Sequence, residues 1–185
     1  MSVRLEPFSE SDIETLIGWV DRPGASDLWA SRTYPFPLTR EIVQSHLERT
    51  KSTPCELVAF KILKNDHQKP VGHVELDRFD HQTHSVRITR LFIDPANRGS
   101  GIARQAIELL LNYCFENLKL NRVEILAIET NEIAFHLYRK LGFTVEGFLR
   151  ENMFLSGQRF GSHLLSILRS EHLQKLSERD SSLSF

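Results

Sequence analysis

The segment between Ile93 and Ala103 constrains the fold of this chain more than any other, and its sequence is IDPANRGSGIA. It follows Ser85–Ile93, which is rich in β-branched residues, and leads into Ile102–Leu120, where apolar residues recur at helical spacing. A second β-rich stretch, Arg122–Ile128, comes next. A strand, a long helix and another strand in this order predict a parallel crossover, which places both strands in one sheet and packs the helix against it.

The remaining pattern predicts further strands and helices around this crossover, in a mixed α/β fold. Strands are predicted at Val3–Leu5, Glu56–Leu63, Val71–Asp77, Phe143–Leu155 and Phe160–Leu168. Helices are predicted after the capping residues Ser9 and Thr39, and at Glu132–Leu141. Because no repeat or linker interrupts the chain, we expect residues 1–185 to form a single domain.

The turn between the first strand and the helix of the crossover has the chemistry of an anion site. The first four N–H groups of a helix lack intrahelical partners and carry the positive end of the helix dipole. Gly99 and Gly101 let the backbone approach an anion closely, and Arg98 adds a fixed positive charge. A diphosphate is therefore the expected occupant. An alternative, if the loop is considered alone, is that the glycines only make a tight turn.

Two familiar diphosphate loops do not fit this segment. A Walker loop requires Gly-Lys followed by Ser or Thr, and the loop has no such sequence. The dinucleotide fingerprint requires a third glycine, whereas Arg104 stands at that place. The occupant is therefore expected to be bound in a different type of site.

A second motif lies about thirty residues further on and also follows a strand: NEIAFHLYRKLGF, from Asn131 to Phe143. Arg-x-x-Gly-x-Ala followed by Asn-x-x-Ala-x-x-x-Tyr-x-x-x-Gly-Phe resembles the GNAT superfamily of N-acetyltransferases. The pair is much more specific than either motif alone. The segments Tyr34–Leu38 and Glu146–Leu168 also look like those of ribosomal-protein-serine acetyltransferases.

The resemblance implies a GNAT fold, in which a mixed, mostly antiparallel sheet is splayed between two parallel strands and flanked by helices. It implies acetyl-coenzyme A (acetyl-CoA) as co-substrate, no metal, and a cofactor core at about residues 85–143. By position in the motifs, the implied cofactor-binding residues are Leu91, Phe92 and Ile93 for the pantetheine arm, Arg98, Gly99, Ser100, Gly101, Ile102 and Ala103 for the pyrophosphate, and Asn131 and Ala134 near the thioester. The implied catalytic residue is Tyr138, which would protonate the departing thiolate.

The implied reaction moves an acetyl group directly to a primary amine of a small molecule or a protein N-terminus. The amine attacks the thioester carbonyl without a covalent enzyme intermediate, and a backbone N–H near Phe92 can stabilise the oxyanion. A thiol has a pKa near 8.5 and a tyrosine near 10, so Tyr138 could deliver the proton at little cost. Some relatives carry a glutamate base where this chain has Arg87. Glu75, Glu129 and an ordered water remain candidates for the base, and we favour water.

The acceptor is expected to bind between residues of about 21–50 and 144–168, with Trp29, Tyr34 and Phe36 over the thioester end of the cleft. The sequence does not identify the acceptor, since such loops differ freely between enzymes of one fold. The absence of a strand glutamate also leaves an alternative: a catalytically inactive acyl-CoA-binding regulatory module with the same fold.

Charge and composition limit the partners of this chain. With 23 basic and 24 acidic residues the formal net charge is −1, so neither nucleic acid nor a membrane is expected as a partner. No export signal or long apolar run is evident, which favours the cytoplasm and reduced cysteines. His81 and His84 lack a convincing third metal ligand. A monomer or a homodimer is expected.

Overall fold

The computed structural model describes residues 2–20, 37–155 and 157–182 and contains one seven-stranded sheet. The strands are β1 (Val3–Pro7), β2 (Leu57–Lys64), β3 (Pro70–Asp80), β4 (Ser85–Ile93), β5 (Arg122–Ile128), β6 (Thr144–Leu155) and β7 (Gln158–Leu168). Their order in the sheet is β1-β2-β3-β4-β5-β7-β6. Among the described strands, only β4 and β5 pair in parallel, which confirms the predicted mixed, mostly antiparallel sheet.

The described helices are α1 (Ile13–Trp19), α2 (Arg40–Leu47), α3 (Ile102–Asn112), α4 (Glu132–Leu141) and α5 (Arg169–Ser182). Capping residues define where the first two begin. Ser9 and Asp12 form a capping box ahead of α1, and the Thr39 side chain accepts a hydrogen bond from Ile42 N at the start of α2. The positions of both caps agree with the sequence prediction.

The sheet is covered by helices on both faces. The larger core joins β3, β4 and β5 to α3 and α4, and includes Val86, Ile88 and Tyr138. The smaller core lies where α1 and α2 pack on the other face, and includes Leu16, Val43 and Phe92. Apolar residues alternate along β4 because successive side chains of a strand point to opposite faces.

Two features of the helices differ from the prediction. The long helix was expected to continue to Leu120, but the α-helical part ends at Asn112 and a π-helical turn spans Tyr113–Asn117. Helix α5 was not predicted, because its sequence lacks a continuous apolar stripe. It is docked instead through specific contacts, including His172 Nε2 at 2.9 Å from Asn112 Oδ1.

The two parallel strands separate part-way along their length. Ser85–Ile88 of β4 pairs with Arg122–Ile125 of β5, and no pairing between these strands continues beyond Ile88 among the described residues. On the other side of β4, His73 is opposite Phe92 but Glu75 is opposite Thr89, so β4 contains an extra residue. The bulge and the separation together open a gap in the sheet at the C-terminal half of β4.

Candidate active site

A cavity of about 230 Å³ occupies the gap between β4 and β5. Its wall includes Thr89, Arg90 and Leu91 of β4, Leu126 and Ile128 of β5, Asn131, Ala134 and Tyr138 at α4, and Ser162 of β7. Tyr138 belongs to the core on one face of the sheet. Thr89 lies opposite Glu75 in the register of β3 and β4, so their side chains are on the same face of the sheet. Glu75 is hydrogen-bonded to His46 of α2, which packs on the face opposite to Tyr138. The cavity is therefore lined from both faces. Two ligands could therefore meet in it from opposite sides.

The C-terminal half of β4 presents backbone groups to this gap. Asp94 N donates to Val71 O of β3, so alternation along the strand turns the amides of Leu91 and Ile93 away from β3. Arg98 Nε donates to Ile93 O at 3.1 Å, which agrees with that direction. An extended chain lying in the gap could bond to these groups as an added strand would. Phe92 faces β3 instead, and its ring stacks on Trp19 in the smaller core.

The bulge itself is anchored by a buried ionic network. Arg90 has a φ of 50°, which is uncommon for a residue other than glycine, and its side chain is almost fully buried. Its Nε donates to Glu75 and its Nη2 donates to Asp77, both on β3. Glu75 also forms hydrogen bonds with two histidines: Nε2 of His46 and Nε2 of His73 each lie 2.9 Å from one of its carboxylate oxygens. The left-handed bulge is thus fixed by its own side chain.

Both carboxylates of this network are held ionised. Burial by itself would raise the pKa of Glu75, but the hydrogen bonds from His46 and His73 and the charge of Arg90 bring that pKa well below its ordinary value. Burial also opposes ionisation of Asp77, yet hydrogen bonds from Arg49 and Arg90 lower its pKa to about 2. Both groups are therefore charged at neutral pH.

The loop after β4 has the backbone conformation that an anion site requires. Gly99 has a φ of 74°, and Gly101, the N-cap of α3, has a φ of 79°. A glycine N-cap offers no side chain to bond the first N–H groups of the helix, so those groups are left for a ligand or water. The Arg98 guanidinium lies 5.4 Å from the Phe92 ring centroid. Ser100 Oγ donates to Asn97 O at 2.6 Å.

Helix α4 presents the second motif to the cavity. Asn131 is its N-cap, and Asn131 Oδ1 accepts from Ala134 N at 3.1 Å. Ala134 and Tyr138 follow at three and seven residues, so all three line the cavity from one helix face. Tyr138 is 7% exposed, and burial raises the pKa of its hydroxyl to about 12. This is higher than the value near 10 assumed from the sequence.

The fold and the two motifs can now be compared with known proteins. The family model of the acetyltransferase (GNAT) domain matches residues 2–144. The chain belongs to the GNAT acetyltransferase family. It is therefore an acetyl-CoA-dependent N-acetyltransferase, as the motifs predicted.

Individual relatives agree with this assignment. The chain is 27% identical to spermidine N(1)-acetyltransferase of Escherichia coli K12 over 173 residues, which cover 93% of this chain and 89% of that protein. It is 31% identical to a putative ribosomal N-acetyltransferase of Bacillus subtilis over 100 residues, covering 54% of each. The crystal structure of Vibrio cholerae spermidine N-acetyltransferase with CoA and spermine has a TM-score of 0.81 at 22% identity, covering 93% and 98% of the two chains, and so shares the fold.

The two carboxylates that were candidates for the general base, Glu75 and Glu129, both form structural contacts in the acetyltransferase. Glu75 is completely buried within the network described above, and its low pKa makes it a poor proton acceptor. Glu129 Oε1 accepts from Gly161 N at 2.6 Å, which ties the end of β5 to β7. Arg87, at the place of the glutamate in some relatives, pairs with Glu124 of β5. These contacts favour water as the route for the amine proton.

The remaining sequence predictions concern the acceptor-side aromatic residues, the His81 and His84 pair, and membrane-spanning helices. Trp29, Tyr34 and Phe36 lie outside the described residues. His81 Nε2 lies 2.9 Å from Cys55 O. Among residues 2–20, 37–155 and 157–182, no three His, Cys, Asp or Glu side chains are arranged to hold a metal ion. Over the same ranges, no helix is long and apolar enough to span a membrane.

Thr89, Arg90 and Asp77 line the cavity of the acetyltransferase, although no sequence motif predicted them. A lone arginine in a β-rich stretch usually points to solvent, so the presence of Arg90 in the sequence did not predict a bulge. A cluster of polar residues at alternate positions of β3, namely His73, Glu75 and Asp77, was the available signal. Polar residues at one face of a predicted central strand require partners. Arg90 of the pairing strand is such a partner for Glu75 and Asp77.

A change at Gly101 tests the loop. Gly101→Val is expected to raise the dissociation constant for acetyl-CoA at least about tenfold, or roughly 1.4 kcal/mol. A β-branched residue is strained at a φ of 79°, and a side chain there would project where an anion approaches the helix N-terminus. An added Cβ would meet nothing nearer than Gln105 Nε2, at 3.9 Å, so folding should survive.

Isothermal calorimetry on the folded variant measures this effect. Gly157→Val is the matched control, because Gly157 also has a positive φ, of 82°, and an added Cβ there meets nothing within 4 Å. Wild-type affinity in Gly101→Val would remove this loop from the cofactor site.

Proposed function

We propose that this acetyltransferase transfers the acetyl group of acetyl-CoA to a primary amine of a polyamine of the spermidine class. The observation that carries the proposal is the cavity between β4 and β5, which is lined from both faces of the sheet and so suits a direct transfer between two ligands. The choice of polyamine is supported by the relative from Escherichia coli, a spermidine N(1)-acetyltransferase whose similarity extends over 93% of this chain.

In this proposal the cofactor lies against the α4 side of the gap. The amides of Leu91 and Ile93 hold the extended arm, and one of them stabilises negative charge that develops on the thioester oxygen. The N–H groups at the start of α3, with Arg98 beside them, hold the pyrophosphate. The amide of Asn131 and the small side chain of Ala134 border the thioester. Tyr138 gives its proton to the departing thiolate.

The acceptor enters from the other face in this proposal. Exposed carboxylates stand on segments that adjoin the cavity wall: Glu129 follows Ile128, and Glu151 precedes Met153 by two residues. Such carboxylates can attract the ammonium groups of a polyamine other than the reacting amine. A monoamine has no such additional groups. Asp77 also lines the cavity but is already neutralised by Arg49 and Arg90. The cytoplasm, as the site of soluble polyamines and acetyl-CoA, is the proposed location.

Release of free thiol from acetyl-CoA tests the acceptor. We expect kcat/KM for spermidine to exceed that for butylamine by at least about tenfold, because two further ammonium groups add attraction that a monoamine lacks. We also expect KM for spermidine to rise with salt, since screening weakens exposed charges. A peptide with a free N-terminus belongs in the same panel, given the partial similarity to a putative ribosomal N-acetyltransferase.

The panel separates the alternatives. Faster turnover of the peptide than of spermidine would contradict the polyamine proposal and favour a protein N-terminus. Tight binding of acetyl-CoA without thiol release for any amine would instead indicate a catalytically inactive binding module.

A further inference from the structure

Thr89 lies where β4 and β5 separate, immediately before the bulge of β4. The last parallel pair between β4 and β5 is Ile88 with Ile125, so Thr89 is the first residue of β4 beyond the point where the strands separate. It is also the last residue before the bulge at Arg90. In the antiparallel register it lies opposite Glu75, so its side chain is on the face opposite to that of Ile88.

The side-chain hydroxyl of Thr89 is buried, and within residues 2–20, 37–155 and 157–182 it has no hydrogen-bond partner. Another hydroxyl on the cavity wall is satisfied: Ser162 Oγ donates to Asn152 Oδ1 at 2.9 Å. A buried hydroxyl without a partner lowers the stability of a folded protein, and most buried polar groups in proteins are paired. An unpaired hydroxyl on a cavity wall therefore suggests a partner that binds in the cavity.

The position of Thr89 indicates which ligand that partner is. Tyr138 and Ala134 line the cavity from the α4 face, on which α3 also packs. Thr89 lines it from the opposite face, which carries Glu75 and His46. In a direct transfer the amine adds to one face of the planar thioester carbonyl, so with the cofactor against the α4 side of the gap it reaches the carbonyl from the opposite side. The group that it meets on that side of β4 is Thr89.

We infer that Thr89 Oγ1 accepts a hydrogen bond from the N–H of the acceptor amine and orients the nitrogen lone pair toward the thioester carbonyl. A threonine hydroxyl has two lone pairs and one hydrogen, so it can accept from the amine while donating elsewhere. It forms no covalent bond and its protonation does not change. The anchored bulge at Arg90 holds the neighbouring backbone, so the hydroxyl acts from a fixed position. The inference rests on acetyl transfer to an amine and not on the identity of that amine.

The test compares Thr89→Val, which keeps the shape and removes the hydroxyl, with Thr89→Ser, which keeps the hydroxyl. Spermidine serves as acceptor, or, if the wild type does not turn it over, the best amine of the panel above. We expect Thr89→Val to lower kcat/KM for the amine about 10- to 100-fold, with the dissociation constant for acetyl-CoA within about twofold of the wild type. Thr89→Ser should stay within about threefold of the wild type in both.

Thermal unfolding distinguishes this role from a structural one. Because Thr89→Val removes a hydroxyl that has no partner among the residues that the structure describes, its midpoint should be unchanged or raised. Thr83→Val is the matched control: Thr83 is exposed, and its hydroxyl lies 3.0 Å from Ser85 Oγ in the turn before β4. It should leave kcat/KM unchanged.

Wild-type kcat/KM in Thr89→Val would overturn the inference. So would a joint loss of activity and thermal midpoint that Thr89→Ser does not rescue, since that pattern marks a packing residue. If Thr89→Val does not fold, the comparison of Thr89→Ala with Thr89→Ser decides the question by the same criteria. A wild type that turns over a different amine would end the polyamine proposal while leaving this test intact.

Discussion

Tyr138→Phe is expected to lower kcat at least about 100-fold while leaving the affinity for acetyl-CoA nearly unchanged. A positioned general acid typically contributes about 10²- to 10⁴-fold, and protonation of the thiolate is an interaction of the transition state. The substitution removes only the hydroxyl and keeps the ring, which packs in the larger core. Folding should therefore be preserved. Single-turnover rates with saturating amine measure the chemical step directly, even if product release limits kcat.

The burial of Tyr138 adds a pH criterion to this prediction. Its pKa of about 12 keeps the hydroxyl protonated throughout the working range, because a tyrosine is neutral below its pKa. Ionisation of Tyr138 should therefore cause no fall in kcat between about pH 7 and pH 10. The proton transfer is not as unfavourable as a pKa of 12 against 8.5 suggests. A thiolate formed in the same cavity also loses hydration, which raises its own pKa.

Tyr113→Phe is the matched control, since Tyr113 packs beside Phe60 and is not part of the cavity wall. It should leave the single-turnover rate unchanged. A wild-type chemical step in Tyr138→Phe would identify Tyr138 as a packing residue, and water would then be the proton donor.

Glu75→Ala is expected to lower the free energy of unfolding by about 3–5 kcal/mol. Glu75 is completely buried, and its removal deprives Arg90, His46 and His73 of a shared carboxylate. A buried charge left without its partner is costly because the protein interior does not hydrate it. The loss is a large part of the 5–15 kcal/mol typical of a whole domain. Urea titration followed by circular dichroism measures it.

The pH dependence of stability provides a second readout. The pKa of Glu75 in the folded state is below its ordinary value of 4.5, and that of Asp77 is lowered from 3.8 to about 2. A depressed pKa contributes stability that is present above the unfolded-state value and is lost as the pH falls toward the folded-state value. The wild type should therefore lose stability from about pH 4.5 toward pH 2. Glu75→Gln should show a shallower loss over the same range.

Glu48→Ala is the control for this experiment, because Glu48 forms an exposed pair with Lys51. Exposed pairs are typically worth about 0–1 kcal/mol, so the change should be small. A Glu75→Ala variant as stable as Glu48→Ala would show that the network does not stabilise the fold, and an unchanged acid slope in Glu75→Gln would contradict the assigned pKa direction.

The two strands of the crossover and helix α4 were predictable because their patterns are strong and short in range. The observed limits of β4, β5 and α4 coincide with the predicted Ser85–Ile93, Arg122–Ile128 and Glu132–Leu141. Alternation along the strands and the helical spacing of apolar residues depend only on neighbours in the chain. Helix α5 and the π-helical turn at Tyr113–Asn117 were not predicted, because contacts with distant elements decide them.

The sequence by itself identified the family and the co-substrate through the resemblance of its two motifs. Those motifs are recognisable because glycines before a helix, and small and aromatic residues along one helix face, are local features of the chain. The roles of the motif residues from Leu91 to Tyr138 stay predictions. Only the tertiary structure decided how the gap in the sheet is held open. His46 lies 29 residues before Glu75, and Arg90 lies 15 residues after it, yet all three share one buried carboxylate. Folding also left the Thr89 hydroxyl buried at the branch point without a described partner. Such pairings are set by the register between strands and the packing of α2 on the sheet, which no short stretch of sequence encodes.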